Sequence, residues 1–200
     1  MPGTNKRFDN VTIALHWLIG IGIIVVSVAE LVRGEWPKGH FVREGLKALH
    51  NPVGTVIFAL IVFRVAWRFA HRAPTMPVDM LGWEMAAAKL THIALYVLML
   101  AIPVAGIVYT FARGRPIDFG LFQIAFPLNS AISPAATKSL KSIHEWLGQA
   151  VLGVAFLHAV AALWHHYVRK DGVMLRMLPS KNPAAVKVAE TVAATHSSGT

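Results

Sequence analysis

The sequence predicts an all-α integral membrane protein, a four-helix bundle, on three observations. Apolar residues make up 55% of the 200 residues and charged ones only 14%, against roughly 25% charged in soluble domains. The mean hydropathy is +0.53 for a chain of 21.8 kDa, more apolar surface than a soluble globule of that size can hide, so lipid must cover part of it. Four separate stretches also reach the roughly 20 predominantly apolar residues that a helix needs to cross a bilayer. The sequence has no cysteine. That excludes disulfides, iron–sulfur clusters, Cys-ligated zinc and the C-x-x-C-H attachment of covalent haem. The net charge of +9 does not point to nucleic acid, because the basic residues are dispersed among short loops.

The spans fall at residues 11–32, 49–67, 85–110 and 143–168. The third carries Lys89 near its start, where a lysine can snorkel, and Pro103 inside, where a kink is expected. Residues 71–78 form a Pro-rich turn, and residues 113–141 a longer loop with an interfacial stretch at 119–126. One transmembrane domain is expected over 1–180, and the Ala/Thr/Ser-rich segment 181–200 is expected to be a disordered tail. A cleaved leader is the competing reading of the first span, since Lys6 and Arg7 precede an apolar run ending in Ser27-Val28-Ala29. The run is long for a signal peptide and contains His16 and Trp17, which favours a retained span.

With four spans both termini share one side. That side holds eleven Lys and Arg residues (Lys6, Arg7, Arg64, Arg68, Arg72, Lys89, Arg169, Lys170, Arg176, Lys181, Lys187), and the other holds eight. The positive-inside rule then places both termini in the cytoplasm. The outer face is unusually basic.

Ionisable side chains inside a membrane are costly unless partnered, and so are functional candidates. His16 lies in span one, His50 in span two, His92 in span three, and His144, His158, His165 and His166 in span four. His144 and His158 are two heptads apart, which puts them on one helix face about 21 Å apart along the axis. Chain direction then fixes depth. Span two starts outside, so His50 meets the depth of His144; span one starts inside, so His16 approaches that of His158. The expected pairs are His50 with His144 and His16 with His158.

Gly20, Gly54 and Gly148 each follow a paired histidine by four residues, beside the imidazole on the same face; Ala162 stands in that place after His158. Such clearance admits a planar macrocycle edge-on between helices, although glycine also serves close helix packing. Imidazole suits zinc, copper, iron and nickel. The spans hold almost no carboxylate except Glu30, Glu84 and Glu145 near their ends, unlike a cation pathway. Paired imidazoles with glycine clearance fit two non-covalent, bis-His b haems, a cofactor that helix bundles house between their helices.

Ala14-Leu15-His16-Trp17-Leu18, Ala48-Leu49-His50 with Gly54, Lys141-Ser142-Ile143-His144-Glu145, Leu157-His158-Ala159 and Leu163-Trp164-His165-His166-Tyr167 resemble the bacterial cytochrome b561 family. The resemblance runs from about Arg7 to Pro179 and includes Met174-Leu175-Arg176-Met177-Leu178-Pro179. Within the family it is to the superoxide oxidase branch, which implies electron flow from external superoxide through two haems to ubiquinone, with release of O2. The same ligand pairing is implied. His92 and His165 match family histidines near the cytoplasmic haem, associated there with ubiquinone. One departure is Ala14, where the family pattern has serine in the quinone site. His166 reads as headgroup-facing.

An anionic substrate needs attraction, and Arg113, Arg115, Lys138 and Lys141 precede His144, with Lys47 beside His50. A basic funnel can raise a charged substrate's on-rate by roughly 10–10³. The leading expectation is a superoxide:ubiquinone oxidoreductase of the bacterial inner membrane that requires no protein partner. The alternatives are a di-haem electron-carrier subunit of a larger quinone-linked complex and a His-lined metal transporter.

Overall fold

The computed structural model describes residues 7–71, 74, 80–129 and 131–179. Lys6, Arg72, Lys181 and Lys187, most of the turn at 71–78 and the tail at 181–200 lie outside the described residues. Among those described, the order is α1 (Asn10–Glu35), α2 (Phe41–Ala70), α3 (Gly82–Ala112), a hairpin of β1 (Ile117–Asp118) and β2 (Gln123–Ile124), and α4 (Pro134–Trp164). The last helix runs on as a π-helical turn, His165–Arg169, and a 3₁₀ turn follows at Met174–Met177. All four long helices are apolar enough to cross a membrane.

Three of the long helices begin on a side-chain cap, Asp9, His40 and Ser133, whereas α3 begins after Leu81, whose backbone N–H donates to Glu84. Asp9 accepts the Thr12 backbone N–H at 2.9 Å and its hydroxyl at 2.6 Å, and Ser133 caps α4 ahead of Pro134 at the first helical position. The helices outrun their apolar stretches. Pro134–Arg169 is 36 residues, about 54 Å at 1.5 Å per residue against a hydrocarbon thickness of about 30 Å. The long loop expected at 113–141 therefore ends at Ser133, and Lys138 and Lys141 sit on the first turns of α4. The cap and proline, not the onset of hydrophobicity, set that boundary. The interfacial stretch at 119–126 is a short antiparallel hairpin pairing Ile117 with Ile124, with Phe119 stacked on Phe122 at 4.7 Å.

The closest packing joins α1 with α2 and α3 with α4, with α2 also meeting α3. Leu15, Ile19 and Ile61 form the buried core, with Ile23, Ile57, Met99 and Leu100 around them. Most other apolar side chains face outward, among them Leu31, Leu90, Phe156 and Leu157, as lipid requires. The start of α1 and the π turn that follows α4 lie at one end of the bundle, the terminal end; the α1–α2 turn and the hairpin lie at the other, the loop end. A clasp closes the terminal end. Arg7 donates to the Leu178 carbonyl, Trp17 donates to the Met177 carbonyl at 2.7 Å, and Trp67 donates to Asp9 at 3.1 Å.

Candidate functional site: two imidazole pairs

Each histidine pair bridges the two helical hairpins. At the loop end, His50 of α2 and His144 of α4 have ring centres 6.0 Å apart and planes at 79°. At the terminal end, His16 of α1 and His158 of α4 stand 6.2 Å apart, also at 79°. A metal–imidazole bond of about 2.0–2.1 Å, with about 1.1 Å more to the ring centre, sets two imidazoles on opposite sides of one ion about 6.3 Å apart. Both spacings fit a bis-imidazole metal centre. His92 touches His158 at 5.4 Å and 63°, too close for that pair to straddle one ion.

The loop-end pair opens onto a cavity of about 770 Å³, within the range of about 300–1,000 Å³ typical of cofactor sites. Gly54 and Gly148 line it, and a Cβ built on either, or on Gly20, meets nothing within 4 Å. The space beside these three glycines is open. The Nδ1 of His144 donates to the Ile102 carbonyl at 2.8 Å. A carbonyl only accepts, so the proton is on Nδ1 and Nε2 is left as the nitrogen that could bind a metal. His50 Nδ1 stands 3.7 Å from Glu30, whose carboxylate is also gripped by Arg33 through Nε at 2.8 Å and a second guanidinium nitrogen.

Sequence reasoning missed Gly106. A Cβ there would fall 2.8 and 2.9 Å from two His144 ring atoms, so this glycine is what lets the ring lie against α3. The available signal was a glycine three residues past Pro103 in a run of larger residues. Ile102, Glu30 and Arg33 were also not assigned to the site.

The cavity rim gathers Arg113, Arg115 and Lys141 with Arg33 and Lys47; Lys138 is exposed and outside the lining. Lys141 is paired with Glu145 at 2.6 Å and Lys47 with Glu44 at 2.9 Å. Neither Arg113 nor Arg115 has a carboxylate partner among the described residues. Arg113 leans on Tyr109, donating to its hydroxyl at 3.0 Å. The unbalanced positive charge of the rim therefore resides on these two arginines. At the terminal end His165 bonds Asp171, and no ring contact joins it to His92 among the described residues. His166 is half-buried, with its ring against Tyr167 at 4.8 Å.

A four-helix membrane bundle with an imidazole pair near each end has the build of a membrane cytochrome, an electron carrier set in the bilayer. Residues 7–180 match the family model described as prokaryotic cytochrome b561, and the chain belongs to that family. It is 31% identical over 178 residues to cytochrome b561 homolog 1 of Escherichia coli, covering 88% of this chain and 99% of the relative. It is 30% identical over 178 residues to a probable superoxide oxidase, CybB, of Yersinia pestis, covering 88% and 98%. Cytochrome b562 of Cereibacter sphaeroides is 29% identical over 182 residues, covering 86% and 94%. The protein is thus a multi-pass electron-transfer oxidoreductase of the bacterial inner membrane, of a family that carries b-type haem.

Proposed function

We propose that the protein is a superoxide:ubiquinone oxidoreductase with two b haems, one held by His50 and His144 and the other by His16 and His158. The observation that carries this reading is the pair of ring separations, 6.0 and 6.2 Å, joined by the two-heptad spacing on α4. The family supports haem as the occupant, and the name of the Yersinia pestis relative supports superoxide as the donor. When bound, each haem supplies a one-electron carrier. The balance is two superoxide plus one ubiquinone plus two protons giving two O2 and one ubiquinol.

The chain's residues do the rest. The Lys/Arg excess supports a cytoplasmic terminal end, so the loop end faces the periplasm. There Arg113 and Arg115, with Lys141 and Lys138 nearby, attract the anion. Ile102 orients His144, and Glu30 stands beside His50. Gly20, Gly54 and Gly148 leave room for the macrocycles. At the terminal end His92 and His165 supply hydrogen bonds and protons to the quinone carbonyls.

The test is the purified haem-loaded protein with superoxide, ubiquinone and no other protein. Ubiquinol formation faster than spontaneous dismutation can account for is expected. Haem reduction that occurs only when a partner protein is added would overturn the oxidase and leave a carrier subunit. Absence of haem absorbance would leave the metal transporter.

A further inference from the structure

The end of α4 is built around one side-chain pair that the proposed function does not use in full. Past Trp164 the helix widens into the π turn His165–Arg169, a form found often at functional sites. It stops at Lys170, whose φ of 52° is left-handed, and Gly172 follows at φ 76°. The reversal folds Asp171 back onto His165. The pair is largely withdrawn from water, with side chains 13% exposed for His165 and 6% for Asp171. One oxygen, Oδ2, accepts from His165 Nδ1, and the other, Oδ1, accepts from the Val173 backbone N–H at 3.1 Å.

An ionised carboxylate only accepts, so Asp171 keeps a proton on Nδ1 in either charge state of the ring. The other nitrogen, Nε2, is then the one atom of this imidazole that can take up and release a proton. We propose that Asp171 is a positioning residue that makes His165 Nε2 a proton donor to a quinone carbonyl. This rests on the reading of His165 as a quinone residue. In the step, the Nε2–H bond breaks and an O–H bond forms on the quinone oxygen, while the electrons come from the superoxide donors. Water at the same membrane face returns a proton to Nε2. Two such transfers complete quinone plus two electrons plus two protons to quinol.

Asp171→Asn separates this role from a structural one. The asparagine keeps Oδ1 for Val173 but presents an N–H to His165. Nδ1 must then accept, and Nε2 holds its hydrogen permanently. It can still hydrogen-bond a carbonyl, yet it can no longer hand the proton over and be recharged. With the haem-loaded variant and a short-chain ubiquinone, kcat is expected to fall about 10²-fold, the usual weight of a general acid, with KM little changed. His165→Ala should cost a similar factor, and the double variant no more than either single one. Nitrogen NMR of histidine-labelled protein should show His165 with its proton on Nδ1 in the parent and on Nε2 in Asp171→Asn.

If His165→Ala slows the reaction and Asp171→Asn does not, the positioning role is overturned and the quinone reading stands. If the two losses multiply in the double variant, Asp171 acts independently of His165 and the proposal fails. If neither variant slows ubiquinol formation, His165 is not at the quinone, and both readings fall.

Discussion

Gly106→Ala adds one carbon to α3 and tests whether the His144 ring must stay where it lies. The new Cβ would stand 2.8 Å from Cε1 and 2.9 Å from Nδ1 of that ring. Carbon contacts are comfortable only from about 3.5 Å, so the ring must retreat by about 0.7 Å. Retreat stretches its 2.8 Å bond to the Ile102 carbonyl to the edge of hydrogen-bonding distance. Overpacking costs about 1–3 kcal/mol and the lost bond about 0.5–1.5 kcal/mol. In the haem-free protein the ring can swing aside, so the cost falls on the haem-bound form. At about 1.4 kcal/mol per tenfold, a combined cost of about 1.5–4.5 kcal/mol weakens haem binding at this pair by roughly 10- to 1,600-fold. The assay is haem content per chain with the reduced-minus-oxidised spectrum, using Gly153→Ala as control because a Cβ there meets nothing within 4 Å. Loss of the loop-end haem with retention of the other is expected. A Gly106→Ala protein with full haem content, parental affinity and an unaltered spectrum would refute the reasoning.

Acid acetone should extract two haems per chain; His50→Ala or His144→Ala should remove one, His16→Ala or His158→Ala the other, as read by haem quantitation. Loss of a haem in His92→Ala would overturn that pairing, since His92 stands 5.4 Å from His158. Superoxide-driven haem reduction, followed by stopped flow, should slow as salt rises and the Debye length falls from about 10 Å at 0.1 M to about 3 Å at 1 M. The double variant Arg113→Gln/Arg115→Gln should slow it more than Lys141→Gln/Lys138→Gln, because Lys141 is already paired with Glu145. Asp9→Ala should lower stability by about 1 kcal/mol through loss of the α1 cap, measured by thermal unfolding in detergent. Burial raises the Asp9 carboxyl, but its hydrogen bonds with Thr12 and Trp67 outweigh that and hold it below its ordinary value of 3.8. The cap's contribution is therefore present above that value and is lost as pH falls through the lowered one, so parent and variant should converge in acid.

The four helices and both imidazole pairs were legible because each rests on a strong regularity. Twenty-residue apolar runs have no soluble reading, and a two-heptad spacing on one helix defines a stripe whatever surrounds it. What escaped depends on contacts between distant segments. Gly106 matters only because α3 crosses α4 at His144, and the Ile102 carbonyl could not be singled out among the carbonyls of its helix. The start of α4 was misplaced by about two turns because Ser133-Pro134 is a local capping signal inside a segment that hydropathy scores as loop. Asp171 is absent from the sequence reading for a related reason. A left-handed Lys170 folds the chain back, and lysine does not advertise that conformation as glycine would.

The pattern of helix contacts also bears on why the histidines are where they are. α1 packs on α2 and α3 on α4, and each imidazole pair takes one ring from each hairpin: His16 and His50 from the first, His144 and His158 from the second. A metal centre between the rings would therefore join the two hairpins at two depths. Anything that binds the folded form alone stabilises it, by about 4.1 kcal/mol at a ligand concentration of 1,000 times its Kd. The described protein core is small, Leu15, Ile19 and Ile61 with their neighbours, and the 770 Å³ cavity beside His50 and His144 takes up space that side chains fill in an ordinary bundle. In the proposed reading the loop-end b haem occupies that space. The contacts that carry electrons are then the same contacts that hold one helical hairpin to the other, and removal of a ligand histidine should loosen the bundle as well as interrupt the conduit.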